Sequence, residues 1–157
     1  MEFELSKIDA AVDQLDWAIR LFLDHKAYVA AITLASAAEE TLGRAVENRA
    51  AFGILRKKFA ADFGLEEKVV SQDHLNKAKN WVKHWDRPRD DGRIRLELDE
   101  EALQYIVRAL ANLVAHDASQ PSEGPRFWEW MSENRADLLS NPLPFELAKG
   151  GDQLWEP

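Results

Sequence analysis

The clearest structural signal in the chain is residues 100–118, EEALQYIVRALANLVAHDA, in which apolar side chains recur every three or four positions. This spacing places them on one face of an α-helix. Asp99, which directly precedes the stretch, is the expected N-cap. We therefore predict a long amphipathic helix over residues 100–118 that packs against other helices. Its core positions are Leu103, Ile106, Val107, Leu110, Leu113 and Val114.

The same helical period recurs elsewhere in the chain. Residues 6–25 predict a helix with Ser6 as N-cap and Asp9 three residues later, which is the pattern of a capping box. Residues 26–48 are rich in alanine and apolar around almost the whole helix circumference, which is typical of a central, covered helix. Three shorter helices are predicted at 54–63, 73–85 (capped by Asp73) and 125–139.

The remaining segments are predicted to be irregular. Residues 93–99, RIRLELD, alternate polar and apolar side chains as an edge strand does, but no second strand pattern exists to pair with them. We interpret them as an extended connection. The prediction is an all-α, single-domain bundle of five to six helices over residues 1–140, followed by an irregular tail at 141–157.

Composition excludes several classes of protein. A chain of 157 residues with 46% hydrophobic content suits one compact domain. The absence of cysteine excludes disulfide scaffolds, iron–sulfur clusters and thiol nucleophiles. We find no Gly-rich phosphate loop and no zinc-binding pattern, so no cofactor and no metal are expected. No secretory signal and no run approaching roughly 18 apolar residues is present, so we expect a cytoplasmic protein without a membrane partner.

The charge distribution is uneven. The net charge of −8 opposes general attraction to nucleic acid. Between residues 77 and 95, however, seven cations accompany three acids. This segment is either an anion-attracting patch or a solvated helix face balanced by neighbouring acids. Its candidate phosphate-binding residues are Lys77, Lys83 and Arg87.

Asn80 and His84 are the candidate catalytic pair. They lie four residues apart and therefore neighbour each other on the predicted helix 73–85. A neutral imidazole can take a proton from a ribose 2′-hydroxyl, an amide can orient the phosphate, and Lys79 or Lys83 can stabilise the developing charge. The alternative is an ordinary exposed helix surface.

Two further features concern the long helices. Arg108, Asn112 and His116 follow one another at intervals of four residues, which predicts a polar stripe opposite the apolar face of the helix. This stripe either lines an RNA-binding or phosphate-binding cleft together with His84, or simply faces solvent. Glu39 projects on the same side as apolar residues of its helix. It is either buried and met by a cation, or lies at the edge of the stripe and reaches outward.

The segments AAEETLGR (37–44) and KNWVKH (79–84) resemble the HEPN superfamily of small all-α proteins. The chain is also similar to a group of uncharacterised bacterial proteins with an Asn-x-x-Lys-His segment. The resemblance implies a homodimeric, metal-independent ribonuclease of a toxin or phage-defence system, with RNA and an antitoxin-like protein as partners. Asn80 then matches the polar position of the family motif and His84 its base. Lys79 stands at the position of the motif arginine.

A non-catalytic protein-interaction module is the alternative. Lys79 does not reproduce the bidentate phosphate contact of an arginine. The second Asn and His pair, Asn112 and His116, has alanine at the arginine position. The aromatic residues near the C-terminal end would then form the docking surface of this module. They are Phe127, Trp128, Trp130 and Trp155. Whether the protein is an enzyme stays open at this point.

Overall fold

The structure is a computed structural model that describes residues 2–84 and 92–139, and every regular element in these residues is helical. This confirms the all-α class. Residues 2–84 and 92–139 contain eight α-helices, of which six have seven residues or more; five or six helices were expected. They are α1 (Lys7–Leu23), α2 (Tyr28–Val46), α3 (Ala51–Phe63), α4 (Glu67–Val69), α5 (Lys77–Lys83), α6 (Leu98–His116), α7 (Gly124–Asn134) and α8 (Ala136–Leu139). A 3₁₀ turn (Glu47–Arg49) precedes α3, and a π-helical turn (Val70–Leu75) joins α4 to α5.

Helix α2 lies at the centre, as its composition predicts. It packs against α1 and against α6. Ala31, Ala35 and Ala38 are fully buried at these contacts. Because an alanine side chain ends at Cβ, the neighbouring helices can approach the α2 backbone closely. The large apolar side chains that are fully buried in the core include Leu15, Ile19, Ile32, Leu42, Ile106, Leu110, Leu113, Phe127 and Met131.

The start of α1 confirms the predicted capping box. Ser6 Oγ accepts a hydrogen bond from the Asp9 backbone N–H at 3.0 Å, and the Asp9 carboxylate accepts one from the Ser6 backbone N–H at 3.3 Å. These bonds satisfy N–H groups that have no partner inside the helix. The acid in the first turn also suits the helix dipole.

Two predicted N-caps are wrong. Asp99 lies inside the first turn of α6, because the helix already begins at Leu98 and its N-cap residue is Glu97. Asp73 lies inside the π-helical turn, and α5 begins only at Lys77. Asp is favoured both at N-caps and within a first turn, so the residue type alone does not set the boundary.

Several other boundaries also differ from the prediction. Helix α3 begins at Ala51 rather than 54, and the predicted helix 125–139 is interrupted at Arg135, which separates α7 from α8. Residues 93–97 have neither helix nor strand, as expected for a connection. Arg87 and the predicted tail at 141–157 lie outside the described residues. No helix in the described part of the chain is long and apolar enough to cross a bilayer.

Candidate functional site

The polar residues of α6 turn inward. Arg108 is 1% exposed and Asn112 is fully buried, so the alternative that they face solvent is wrong. His116, at the end of the helix, is exposed. The reason is that α6 is covered on more than one side: α2 packs on it, and α3 also contacts it.

Asn112 connects three helices. Its Oδ1 accepts a hydrogen bond from the Ala51 N–H at 2.8 Å, and its Nδ2 donates to the Glu39 carbonyl at 3.1 Å. Helix α3 has no side-chain cap of its own, so Asn112 satisfies one of its orphan N–H groups from across the fold. Gly43 permits this approach, because a Cβ there would lie 3.3 Å from Asn112 Nδ2.

Arg108 and Tyr105 hold the segment that leads into α5. Arg108 Nη1 donates to the Leu75 carbonyl at 3.1 Å and to Gln104 Oε1 at 3.3 Å. The Tyr105 hydroxyl donates to the same Leu75 carbonyl at 3.1 Å and accepts from the Lys79 N–H at 3.2 Å. The guanidinium also lies over the Tyr105 ring, 4.4 Å from its centroid. This network fixes where α5 begins and hence where Lys79 stands.

Glu39 is buried beside a cation, as one of the two sequence alternatives required. Glu39 is only 4% exposed, and its Oε2 lies 3.8 Å from Arg108 Nη2. The pair is nevertheless incompletely satisfied. Arg108 Nε and Nη2 are buried without a hydrogen-bond partner, and within residues 2–84 and 92–139 no hydrogen bond reaches the Glu39 carboxylate. Buried polar groups without a hydrogen-bond partner in the protein are uncommon.

A cleft of about 370 Å³ opens in front of this pair, between α2, the start of α3 and α5. We call it the Glu39 cleft; Phe52, Asn76 and Lys79 also line it. Asn76 Oδ1 is buried there without a donor. Burial lowers the pKa of the Lys79 ammonium below its usual value, although the carboxylates of Glu39 and Glu40 oppose this shift.

A larger groove of about 640 Å³ runs between α1 and α2. We call it the α1–α2 groove. Its charged lining consists of three cations, Lys7, Arg44 and Lys83, and one acid, Glu40. Glu40 also lines the Glu39 cleft, where its carboxylate lies 2.8 Å from Arg44 and 3.8 Å from Lys79. The two depressions therefore adjoin each other at Glu40.

Of the site residues predicted on and next to α5, two line depressions and three are exposed to solvent outside them. Lys79 lines the Glu39 cleft and Lys83 lines the α1–α2 groove. Asn80 and His84 are exposed and line neither depression, and Lys77 is exposed at the start of the helix. His84 is the C-cap of α5, and its N–H donates to the Asn80 carbonyl at 2.9 Å. The described residues contain no group of three or more His, Asp or Glu that could hold a metal.

The aromatic C-terminal end is mostly part of the core. Phe127 is buried, and Trp128 and Trp130 are half-buried and pack against the core, so the expected docking surface is wrong for Phe127. Trp155 lies outside the described residues.

An apolar cleft of about 290 Å³ occurs elsewhere, on α3 and the π-helical turn. It is lined by Phe59, Phe63, Leu65, Val70 and His74.

Three residues in or next to the Glu39 cleft were not predicted as site residues from the sequence: Phe52, Asn76 and Tyr105. Tyr105 had a usable signal, because it stands three residues before Arg108 and therefore on the same helix face. Phe52 and Asn76 had none, since they come from separate elements that only the fold brings together.

No protein-family profile matches the chain, and no curated protein or solved structure matches it significantly.

Proposed function

We propose that this protein binds single-stranded RNA through the phosphates of its backbone, which lie along the α1–α2 groove. The observation that carries the proposal is the charge of this groove: Lys7, Arg44 and Lys83 face a single acid in a chain whose net charge is −8. Cations concentrated in one groove attract phosphates locally, whereas the acidic remainder repels nucleic acid elsewhere on the surface.

The three cations come from three different elements, so the groove depends on the fold and not on one basic segment. Lys7 begins α1, Arg44 lies near the end of α2, and Lys83 ends α5. Arg44 is paired with Glu40 in an exposed ion pair, and such pairs contribute little to stability. A phosphate can therefore replace the carboxylate on the guanidinium, with the bidentate geometry that arginine favours.

Metal-independent cleavage of the bound RNA is the catalytic extension of this proposal. Its supporting observation is that Asn80 on α5 and His84, the C-cap residue of α5, are both exposed, and that the same helix supplies Lys83 to the groove. His84 would remove the proton from a 2′-hydroxyl, whose oxygen attacks the adjacent phosphorus while the 5′-oxygen leaves and takes a proton from water. Asn80 would orient the phosphate, and Lys83, which lines the groove, would stabilise its charge.

Self-association through the first helices belongs to the same proposal. Trp17 on α1 is 49% exposed, and the Arg20 guanidinium lies 5.1 Å from the centroid of its ring. Large exposed aromatic side chains are typical of interfaces. Light scattering of the purified chain measures this directly, and a monomer at working concentration would remove the dimer from the proposal.

Binding is tested by fluorescence anisotropy with a labelled single-stranded RNA at about 50 mM salt. Lys83→Ala is expected to weaken binding about threefold to tenfold and to lower the slope of affinity against salt by about one. Lys57→Ala, which removes an exposed cation on α3, is the matched control and should change little. Absence of binding, or equal effects of the two substitutions, would contradict the groove.

Cleavage is tested on the same RNA in the presence of a chelator. We expect His84→Ala to abolish product formation while the dissociation constant stays within about twofold. Product formation that survives in the His84→Ala protein would show that His84 is not the base.

A protein-interaction module is the second candidate, with an antitoxin-like protein as partner. The apolar cleft on α3 and the π-helical turn supports it, because Phe63 at its edge is 71% exposed. Apolar association of this kind responds weakly to salt, whereas phosphate binding weakens steeply as salt rises. A partner that is retained at high salt and lost in Phe63→Ser would favour this candidate.

A further inference from the structure

The Glu39 cleft is lined by polar side chains that lack hydrogen-bond partners in the described residues, and one of them, Glu39, is ion-paired with Arg108. Glu39 lines the cleft and its carboxylate accepts no hydrogen bond from the described residues, while Arg108 beside it has two nitrogens, Nε and Nη2, without a hydrogen-bond acceptor. Asn76 Oδ1 adds an unpaired acceptor. Buried polar groups normally find partners in the protein, in water or in a ligand. The cleft therefore has the chemistry of a ligand site, with acceptors that need donors.

The size and position of the cleft suit a nucleobase. Its volume of about 370 Å³ lies in the range of small-ligand pockets. It adjoins the α1–α2 groove at Glu40. A nucleotide whose phosphates lie in the groove can therefore turn its base into the cleft, which is how proteins commonly recognise single-stranded RNA.

The polar groups of the cleft select among the bases. The two oxygens of the Glu39 carboxylate match two adjacent donors, and the Lys79 ammonium matches an acceptor. The Watson–Crick edge of guanine offers this set, because N1–H and the N2 amino group are donors and O6 is an acceptor. Adenine and cytosine have one amino group on that edge, and uracil has a single N–H donor. Only guanine provides two adjacent donors beside an acceptor.

We infer that the Glu39 cleft binds a guanine base, with Glu39 accepting from N1–H and N2–H and Lys79 donating to O6. Arg108, at 3.8 Å from the carboxylate, compensates its charge. This inference rests on the proposed function, to which it adds a preference for guanine-containing single strands. The α1–α2 groove then supplies affinity, and the Glu39 cleft supplies specificity.

The experiment compares three short RNAs that differ at one central base in a uridine background: guanine, hypoxanthine or adenine. Hypoxanthine lacks only the N2 amino group, and adenine lacks both donors to Glu39. With the wild-type protein we expect the affinity to fall about threefold to tenfold from guanine to hypoxanthine, and further to adenine. This series changes the ligand alone, so the result does not depend on the folding of a variant.

Glu39→Gln replaces one carboxylate oxygen by an amino group and is expected to remove the preference for guanine. Glu47→Gln, the same chemical change at an exposed residue that also lines the cleft, is expected to retain it. Circular dichroism establishes that each variant is folded. Equal binding of all three RNAs by the wild-type protein would overturn the guanine site while leaving RNA binding in the groove intact.

The mononucleotides test the cleft without a strand along the groove, because all three carry the same phosphate and differ only in the base. Guanosine monophosphate at about 10 mM is expected to raise the melting temperature by about 3 °C, with a smaller rise for inosine monophosphate and little for adenosine monophosphate. If the melting temperature rises in this order but the protein does not bind RNA, the guanine site is supported and RNA binding in the α1–α2 groove is rejected. Equal shifts for all three nucleotides, or none, together with no RNA binding would overturn both.

Discussion

Replacing Asn112 by alanine is expected to destabilise the protein strongly, although Asn112 lies outside every depression described above. Its side chain accepts from the Ala51 N–H at 2.8 Å and donates to the Glu39 carbonyl at 3.1 Å. Both Asn112 and Ala51 are fully buried, so water cannot take over these bonds. The substitution therefore removes the only cap of α3 found in the described residues and loosens its attachment to α6.

The magnitude follows from the two groups that lose a partner. The Ala51 N–H becomes a buried donor without an acceptor, which costs about 2 kcal/mol. The Glu39 carbonyl loses one bond worth about 1 kcal/mol. The higher helix propensity of alanine returns about 0.5 kcal/mol. The free energy of unfolding should therefore fall by about 2.5 kcal/mol, which lowers the melting temperature by about 5–10 °C for a chain of this size.

Urea denaturation of Asn112→Ala and wild type measures the change in free energy, and hydrogen exchange locates it. The Ala51 amide should lose protection by more than the global change alone explains, because its acceptor is gone. Asn80→Ala makes the same chemical change at an exposed position of α5 and should stay within about 0.5 kcal/mol of wild type. An Asn112→Ala protein equally close to wild type would refute the reasoning.

Two further predictions concern ion pairs. Arg126 donates a hydrogen bond to Asp24 at 2.6 Å and holds the pKa of that carboxyl below its usual value of 3.8. The stability gained from this contact is therefore present above pH 3.8 and is lost as the pH falls through the lowered pKa. Arg126→Met should therefore lower the melting temperature near pH 7 but have little effect near pH 2. Arg108→Met leaves the buried Glu39 without its cation and should cost about 3 kcal/mol, whereas the double variant with Glu39→Met should recover about half, because it removes both charges.

Matched measurements separate these effects from general damage. Lys57→Met removes an exposed cation from α3 and should show no comparable dependence on pH. A melting difference for Arg126→Met that is unchanged between pH 7 and pH 2 would contradict the role of Asp24. For the buried pair, a double variant less stable than Arg108→Met would show that the cost does not come from the stranded carboxylate.

Elements with one apolar stripe could be predicted from the sequence. The apolar period in α6 and α1 marks residues that pack into the core, although α6 is also covered on its polar side, and the capping box at Ser6 and Asp9 depends on residues three apart. The central place of α2 also followed, since a helix that is apolar all round must be covered all round. Boundaries set by tertiary contacts, such as the start of α3 under Asn112, could not be found in this way.

Of the candidate site, the sequence indicated Glu39, Lys79 and Lys83 but not their surroundings. It left Glu39 either buried beside a cation or directed outward, and the contact with Arg108 decides for the first. Lys79 and Lys83 are four residues apart on α5, yet they line separate adjoining depressions. The partners that give these residues their chemistry come from α1, α2, α3 and α6, and a local pattern does not record which distant segment packs against it.

The helical class, the central helix and the amphipathic faces could be predicted from the amino-acid sequence, because they depend on periodicity and composition within one segment. The burial of Arg108 and Asn112, in contrast, depends on how distant segments pack. A polar stripe with a spacing of four looks the same whether it faces water or lies beneath a second layer. Here α3 and the turn before α5 cover it, and their backbone groups supply the hydrogen bonds that make the burial of those polar side chains stable.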